Sequence, residues 1–206
     1  MLDYEKNYYT DKIIYIAGGD EAGRGPVAGP VVCAAVIMPK EFYNYNINDS
    51  KQLSDKKRRE LYEIIKKNAI SYSVVFIDSE TIDKINIYAA SRLGMEKALE
   101  NLNHRVDMIL TDAMPLIGHT VPCEPIIKGD AKSFNIACAS ILAKVERDNY
   151  MIELDKKYPE YGFAHHKGYG TKEHLEALNK YGPISSIHRF TYEPVRKVQN
   201  VQLKLF

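Results

Sequence analysis

The chain has 206 residues, of which 45% are hydrophobic and 27% are charged, and its formal net charge is +1. This length and composition are typical of a globular protein with one sizeable core. The near-neutral charge excludes a global basic field, so a nucleic-acid partner would have to be bound by locally concentrated positive charge.

The sequence gives no sign of a targeting or membrane segment. Its first residues are polar and mixed in charge, unlike a signal peptide, and no apolar run reaches the length of a membrane span. The three cysteines, Cys33, Cys123 and Cys138, lack a C-x-x-C spacing, and each lies in an apolar run. Buried free thiols are typical of a reducing compartment, so we expect a cytoplasmic protein with no membrane partner.

The first two strands are predicted at residues 13–17 and 27–38, and Pro39 ends the second. Glycines and prolines between them indicate a turn, which favours an antiparallel pair. Asp20 and Glu21 are therefore expected at the end of the first strand.

The rest of the chain alternates between helical and strand patterns. In chain order these are a polar loop at 48–53, a helix capped by Ser54, a strand at 71–77, a helix at 79–103 broken near Asn86, short strands at 108–110 and 125–127, a long helix at 133–154, an aromatic and basic loop at 158–170, a helix from the cap Thr171 to Tyr181, and a last segment at 185–206. This order predicts an α/β fold with one mixed sheet and helices on its faces.

Carboxylates follow three of the predicted strands, as Asp20 with Glu21, as Asp112 and as Asp130. Ligand sites in α/β sheets gather at strand ends, so these acids are expected to converge. Converging carboxylates repel one another unless a cation compensates, and Mg²⁺ and Mn²⁺ prefer oxygen ligands. Two such ions about 3.5–4 Å apart can clamp the attacking and leaving oxygens of a phosphodiester. The alternative for Asp112 and Asp130 is an ordinary polar residue that starts a loop.

The segment after the first acids combines Arg24 with the flanking glycines Gly23 and Gly25. Glycines allow the backbone to approach a phosphate or a sugar closely. The alternative is a charged hairpin turn. Histidine, cysteine and serine offer no rival site, because the sequence contains no G-x-S-x-G, Walker A or G-x-G-x-x-G motif.

Basic residues lie near these motif loops or on the long helix. They are Lys51, Lys128, Lys132, Lys144, Arg147, Lys167 and Arg189. A positive rim around an acidic centre suits a polyanion, although each lysine alone could be a solvated surface residue. Lys128 is the best candidate, since it shares a strand end with Asp130. Tyr169 stands between two glycines, where its ring could approach a sugar or base or pack on the surface.

Five ordered motifs extend over residues 14–195 and are specific as a set. They are Asp-Glu-Ala-Gly-Arg-Gly-Pro at 20–26, Asp-Ser-Lys-Gln-Leu at 49–53, Lys-Gly-Asp at 128–130, Ala-Ser-Ile-Leu-Ala-Lys-Val at 139–145 with Arg-Asp at 147–148, and Tyr-Gly-Phe at 161–163 with His-Lys-Gly-Tyr at 166–169. In these motifs the chain resembles the bacterial ribonuclease HII family. An acid at Asp130 favours this type II family over the related type III enzymes.

The resemblance implies an RNase H-like fold, with a central mixed five-stranded sheet flanked by helices and a helical C-terminal part. It implies a Mn²⁺- or Mg²⁺-dependent endonuclease that hydrolyses RNA in RNA–DNA hybrids. It also implies cleavage on the 5′ side of a single ribonucleotide in duplex DNA, leaving 3′-hydroxyl and 5′-phosphate ends. The catalytic domain would cover residues 1–195, and we expect a monomer.

The resemblance also assigns residues by motif position. Asp20, Glu21, Asp112 and Asp130 match the catalytic, metal-binding acids. Gly23, Arg24 and Gly25 match the loop that reads the ribose 2′-hydroxyl. Tyr169 matches the tyrosine that stacks beside that sugar and helps set the RNA–DNA junction. Lys51, Lys128, Ser133 and Lys144 complete the expected substrate-binding set.

The sequence departs from the family pattern at two positions. Ala113 follows the third acid where glycine is usual, so that loop must tolerate a Cβ. Gly19 precedes Asp20 where a β-branched residue is usual, which predicts a looser strand end.

A tail is predicted at residues 196–206, and it ends Gln-Leu-Lys-Leu-Phe. This ending resembles the short peptide by which bacterial replication proteins dock into the sliding clamp. Leu203, Leu205 and Phe206 would fill an apolar pocket while Gln202 hydrogen-bonds. The alternative is that these apolar residues pack on their own domain.

Two other functions are open at this point. A junction resolvase would share the acids, but the Gly23–Arg24–Gly25 loop and Tyr169 argue against it. A catalytically silent adaptor that binds hybrids or the clamp is opposed by the presence of all four acids.

Overall fold

A computed structural model of the chain describes residues 4–47, 53–118 and 120–203, with side chains through residue 198. Its strands are β1 (Ile16–Ala22), β2 (Val31–Ile37), β3 (Ser71–Ile77), β4 (Met108–Asp112) and β5 (Cys123–Ile126). They form one five-stranded sheet in the order β3-β2-β1-β4-β5. Because β1, β2 and β3 pair antiparallel and β1, β4 and β5 pair parallel, the predicted mixed sheet is confirmed.

The helices are α1 (Asp55–Asn68), α2 (Ser79–Glu100), α3 (Phe134–Lys157), α4 (Phe163–His166), α5 (Lys172–Tyr181) and α6 (Glu193–Leu203). Short 3₁₀ helices cover Tyr4–Asn7, Gly129–Ala131 and Pro159–Tyr161. The predicted caps Ser54 and Thr171 each accept a hydrogen bond from the amide three residues later. The predicted break in α2 is also confirmed, since Asn86 has a φ of 65°.

The sheet separates two hydrophobic layers, because neighbouring residues of a strand point to opposite faces. On one face Ala34 and Val36 of β2 pack against α1 and α3. On the other face Ala35 and Ile37 pack against Met95 and other residues of α2. β2 is therefore buried on both sides, which explains why it reads as a continuous apolar run.

Several predicted boundaries were wrong. β1 begins at residue 16 rather than 13 and runs through both of its acids, because Asp20 and Glu21 pair with Ala34 and Cys33 of β2. β2 begins only at Val31, since the preceding residues form a separate loop. The predicted loop at 158–170 contains two short helices.

The C-terminal region also differs from a simple tail. α6 runs from Glu193 to Leu203, so the expected division at residues 195 and 196 falls inside a helix. The division into a catalytic domain at 1–195 and a tail at 196–206 stays a prediction. None of the described helices is long and apolar enough to cross a membrane.

Two of the three cysteines meet the prediction of burial. Cys33 and Cys138 are buried free thiols, whereas Cys123 is free but only partly buried. The prediction for Cys123 was wrong because the residue starts β5, at the edge of the sheet, where one side of the strand has no neighbour.

Helix α3 approaches β1 at a position where no side chain fits. A Cβ on Gly18 would lie 2.2 Å from the backbone carbon of Asn135, in the first turn of α3. The Asn135 side chain in turn accepts a 2.8 Å hydrogen bond from the Met38 amide. Gly18 therefore sets how closely α3 lies on the sheet.

The neighbouring Gly19 faces the opposite layer. A Cβ there would lie 2.5 Å from Sδ of Met95, which fills the space that a larger residue would take. The strand end is thus filled from α2, which compensates for the glycine that departs from the family pattern.

These two glycines should differ in their tolerance of a methyl group. We expect Gly18→Ala to lower the free energy of unfolding by about 2–3 kcal/mol, because helix backbone must move. Gly19→Ala should cost less than about 1 kcal/mol, because the flexible Met95 side chain can shift. Urea denaturation of both variants measures the difference, and equal losses would contradict the proposed packing.

Candidate functional site

Three of the predicted acids meet at one edge of the sheet. Asp20 lies in β1, Asp112 ends the parallel strand β4, and Asp130 lies in the 3₁₀ helix Gly129–Ala131. Each offers a carboxylate oxygen within 4.8 Å of the others. Asp20 and Asp130 are buried and Asp112 is partly buried. The predicted convergence is thus present for these three residues.

Glu21 stands beside this cluster rather than in it. Consecutive residues of a strand point to opposite faces, so the Glu21 carboxylate leaves β1 on the other side from Asp20. Its Oε1 lies 3.3 Å from Nη1 of Arg24. Glu21 nevertheless lines the same cavity as Asp20 and Asp112.

The surroundings of Asp20 disfavour its negative charge. Burial, together with the nearby Glu21 and Asp112 carboxylates, raises the pKa of Asp20 well above its usual range. Hydrogen bonds from the Ser140 hydroxyl and the Glu21 amide oppose this shift. A divalent cation would remove the repulsion, and a set of donors made of carboxylate oxygens suits a hard ion. Asp20, Asp112 and Asp130 therefore fit a bound Mg²⁺ or Mn²⁺.

The loop after β4 holds Asp112 through a strained residue. The Gly129 amide donates a 2.8 Å hydrogen bond to Oδ1 of Asp112, and the Ala113 amide donates to the Ile126 carbonyl. Ala113 has a φ of 53°, in the left-handed region that favours glycine. The loop therefore tolerates the Cβ anticipated from the sequence, but at a conformational cost.

The sequence predicted that Asp130 directly follows a strand, and this was wrong. β5 ends at Ile126, and Lys128 then adopts a left-handed conformation with a φ of 57°. This turn directs the chain into the 3₁₀ helix that carries Asp130. Lys128 itself is exposed and is not among the residues that line the cavity, and its contact with substrate stays a prediction.

One cavity of about 300 Å³ joins the acids to the glycine-arginine segment and to Tyr169. It is lined by Asp20, Glu21, Ala22, Gly23, Arg24, Gly25, Asp112, Ser140, Lys144, Arg147 and Tyr169. The Tyr169 side chain is 47% exposed, and a Cβ on Gly25 would lie 3.6 Å from its ring. The ring and the Gly25 backbone therefore stand side by side at the cavity wall.

Two buried arginines hold the loop at residues 23–30. Arg147 donates to the carbonyls of Ala28, Pro30 and Lys167. Arg189 donates to the carbonyls of Gly23, Arg24 and Gly29. Both guanidinium groups are buried against backbone carbonyls, and Arg147 also lines the cavity. Their part in a positive rim around the acids stays a prediction.

The other predicted basic residues have different surroundings. Lys144 lines the cavity and pairs with Asp148 at 2.7 Å, and burial lowers the pKa of its ammonium group. Lys132 is exposed, Lys167 is partly buried, and neither is among the residues lining the cavity. Lys51, Leu205 and Phe206 lie outside the described residues, and the side chains of Gln202 and Leu203 are likewise not described.

Ser133 has a structural environment. It is fully buried, caps α3 by accepting from the Ile136 amide, and donates a 2.6 Å hydrogen bond to Glu5. These two hydrogen bonds occupy the side chain, and the role in substrate binding expected from the sequence stays a prediction. The Ser133 hydroxyl ties the N-terminal 3₁₀ helix to the start of α3.

The sequence interpretation missed Ser140 as a site residue. Ser140 lies on α3 between Ala139 and Ile141, and its hydroxyl bonds to Asp20. The available signal was a polar residue within an otherwise apolar helical face.

Solved structures share this architecture. The ribonuclease H2 of Pyrococcus horikoshii superposes with a TM-score of 0.80 at 27% identity, covering 92% of this chain and 99% of that one. The ribonuclease HII in a PCNA:RNase HII complex from Archaeoglobus fulgidus has a TM-score of 0.70 at 28% identity, covering 87% and 95%. The sheet and the acid cluster thus define a nuclease with an RNase H-like fold.

The family follows from sequence. The ribonuclease HII of Acholeplasma laidlawii is 53% identical over 197 residues, which cover 96% of each chain. The family model described as Ribonuclease HII matches residues 17–195. The chain belongs to the ribonuclease HII family, whose members are metal-dependent endonucleases that degrade the RNA of RNA–DNA hybrids.

The strain at Ala113 should be measurable. Since glycine adopts a φ of 53° at no steric cost, we expect Ala113→Gly to raise the free energy of unfolding by about 0.5–1 kcal/mol. Ala177→Gly, in the middle of α5, is the control and should lower it by about 1 kcal/mol. Chemical denaturation compares the two, and destabilisation by both would exclude strain at Ala113.

Proposed function

We propose that this protein cleaves nucleic-acid duplexes where RNA meets DNA, including the 5′ side of a single ribonucleotide embedded in DNA. The products would carry 3′-hydroxyl and 5′-phosphate ends. The observation that carries this proposal is the shared cavity, in which Asp20 and Asp112 lie together with Gly23–Arg24–Gly25 and Tyr169. Such a cavity can admit a ribose and its scissile phosphate at the same time.

Asp20, Asp112 and Asp130 would hold the divalent ions, with Glu21 completing the set from the other side of β1. When bound, two such ions supply an activated water and compensate the charge on the leaving oxygen. The buried aspartates fix where this charge compensation acts. Mn²⁺ and Mg²⁺ both suit the oxygen donors.

Recognition of the ribose is assigned to the backbone of Gly23–Arg24–Gly25. The Gly23 and Arg24 carbonyls already accept hydrogen bonds from Arg189. We therefore assign the contact with the 2′-hydroxyl to the amide N–H groups of this segment. The 2′-hydroxyl is the group that distinguishes RNA from DNA.

Tyr169 is assigned to the sugar next to the scissile bond. Its half-exposed ring stands beside Gly25, so a sugar held by the glycine segment would meet the ring face or edge. Lys144, which lines the same cavity, is positioned for a phosphate oxygen. We also propose that the protein acts as a monomer.

Docking of the C-terminus into a sliding clamp is a further part of this proposal. The Archaeoglobus structure named above is a complex of PCNA with ribonuclease HII, which supports such an interaction in a relative. The candidate residues are Gln202, Leu203, Leu205 and Phe206. The proposed DNA substrate also favours a cytoplasmic location.

The proposed activity can be tested with an end-labelled DNA duplex that contains one ribonucleotide. We expect metal-dependent cleavage on its 5′ side, no cleavage of the all-DNA duplex, and none with chelator. Asp112→Asn should lower the rate at least about 100-fold, whereas the exposed Asp11→Asn should match the wild type.

Metal binding has a separate readout in this experiment. Mn²⁺ should raise the melting temperature of the wild type and of Asp11→Asn. It should raise that of Asp112→Asn by a smaller amount, because the folded protein is stabilised only to the extent that it binds the ion. Cleavage of both duplexes would favour the resolvase alternative. Tight binding without cleavage would favour the adaptor.

Deleting residues 202–206 tests the tail. We expect loss of binding to the sliding clamp, measured by surface plasmon resonance, with unchanged cleavage of a short duplex. Substitution of Lys204 by Ala is the control, since the proposed apolar contacts do not include it. Loss of both binding and cleavage would show that the tail packs on its own domain.

A further inference from the structure

Three buried imidazoles lie directly behind Tyr169. They belong to His166, His174 and His188, whose relative exposures are 8%, 0% and 1%. The rings of His166 and His174 are stacked at a centroid distance of 4.3 Å, and Nε2 of His174 lies 3.2 Å from Nε2 of His188. We call these residues the histidine network. None of them lines the cavity.

The tautomer of His188 is fixed by its neighbours. Its Nδ1 lies 2.9 Å from the Ile184 amide, which can only donate, so Nδ1 must accept. A neutral His188 therefore carries its proton on Nε2. That proton is directed at Nε2 of His174, which must accept it.

The tautomer of His174 follows from that of His188. With Nε2 accepting, the His174 proton is on Nδ1, and Nδ1 lies 2.9 Å from the Tyr169 carbonyl, which can only accept. One unidirectional series of hydrogen bonds thus runs from the Ile184 amide through two imidazoles to the backbone of Tyr169. Reversing the direction of any one of these hydrogen bonds would place two donors or two acceptors opposite each other.

His166 holds the same loop from its other side. Its Nδ1 accepts from the Gly168 amide at 3.1 Å, so its Nε2 carries the proton and donates to the Tyr161 carbonyl at 2.8 Å. The Tyr169 amide donates to the His166 carbonyl. The backbone around Tyr169 is therefore bound at 166, 168 and 169 by groups of the network.

The following inference rests on the proposed function of Tyr169. We propose that the histidine network positions this residue. The decisive contact is the hydrogen bond from His174 Nδ1–H to the Tyr169 carbonyl. It fixes the backbone from which the Tyr169 ring projects beside Gly25. The network sets the choice between RNA–DNA junctions and continuous hybrids, and it does not touch the reacting phosphate.

The protonation states agree with this direction of hydrogen bonding. Burial lowers the pKa of His174 to about 4 and that of His188 to about 3. Both imidazoles are therefore neutral at physiological pH, as the series requires. The aromatic rings of Tyr161 and Phe163 pack around them and exclude water.

Two substitutions of His174 separate its two nitrogens. In His174→Asn the side-chain amide reaches the place of Nδ1 and can still donate to the Tyr169 carbonyl. In His174→Gln the amide reaches the place of Nε2, so the contact with His188 can persist. The side-chain donor to the Tyr169 carbonyl is then lost, and the Thr171 amide, which donates to the same carbonyl at 2.8 Å, remains. Both variants carry a side-chain amide, and they differ in which of the two contacts of His174 they keep.

The measured quantity is the ratio of kcat/KM on a single-ribonucleotide duplex to kcat/KM on a continuous RNA–DNA hybrid. Loss of folded enzyme lowers both values equally and leaves the ratio unchanged. We expect His174→Gln to lower the ratio about tenfold, the effect of one hydrogen bond, and His174→Asn to stay within about twofold of the wild type. A ratio for His174→Gln equal to that of the wild type would overturn the proposal.

Tyr169→Ala separates this inference from the function on which it rests. If Tyr169→Ala leaves the ratio unchanged, the proposed role of Tyr169 fails. If it lowers the ratio, adding His174→Gln to Tyr169→Ala should lower it no further, because both act through the same ring. A further drop in the double variant would show that His174 acts elsewhere.

Nitrogen-15 NMR of the unmodified protein tests the network without any variant. We expect the Nδ1–H tautomer for His174 and the Nε2–H tautomer for His166 and His188 at pH 7. An Nε2–H tautomer of His174 would contradict the donation to Tyr169.

Discussion

The site depends on two guanidinium groups buried under the loop at residues 23–30. A loop that approaches a ligand closely needs its carbonyls satisfied from behind, since an unsatisfied buried carbonyl costs about 1–3 kcal/mol. Arg147 and Arg189 do this for the carbonyls of Gly23, Arg24, Ala28, Gly29 and Pro30. Arginine suits this task because its planar fork offers several fixed donors. The loop is therefore held in one shape before any substrate arrives.

The same two arginines also set the electrostatics of the site. Burial lowers the pKa of Arg147 to about 10, and it also lowers that of Arg189. Arg147 therefore remains charged at neutral pH. Positive charge is thus placed behind the glycine segment while the aspartates stand across the cavity. A chain with a net charge of only +1 obtains local attraction for a polyanion in this way.

The sequence predicted the fold best where signals were local. β3 was placed at its observed bounds because Ser71–Ile77 is rich in β-branched and aromatic residues between a helix end and a cap. β1 was misplaced because Gly18 and Gly19 have low strand propensity, and their use becomes clear only from α3 and Met95 on the two faces. Propensity could not reveal a close approach between elements that are distant in sequence.

The roles of side chains were likewise predicted better where the signal was local in sequence. The aspartates could be predicted as a group, since the apolar run before each of them predicts a strand and a sheet edge brings the ends of strands together. The burial of Arg147, Arg189 and Ser133 could not be predicted, because charge or polarity alone does not reveal whether a side chain is buried. Their partners are carbonyls and Glu5, which lie far away in sequence.

The residues proposed for catalysis and those proposed for sugar recognition are held by different parts of the structure. The aspartates depend on the sheet, through β1, β4 and the turn that follows β5. The glycine loop and the Tyr169 loop instead hold each other, because the Gly168 carbonyl accepts from the Val27 and Ala28 amides and Arg147 also binds the Lys167 carbonyl. The residues proposed for recognition thus form one hydrogen-bonded unit, whereas the aspartates are held by the strands of the sheet. Because the two groups rest on different elements, we expect substitutions within the loop unit to leave the aspartates in place.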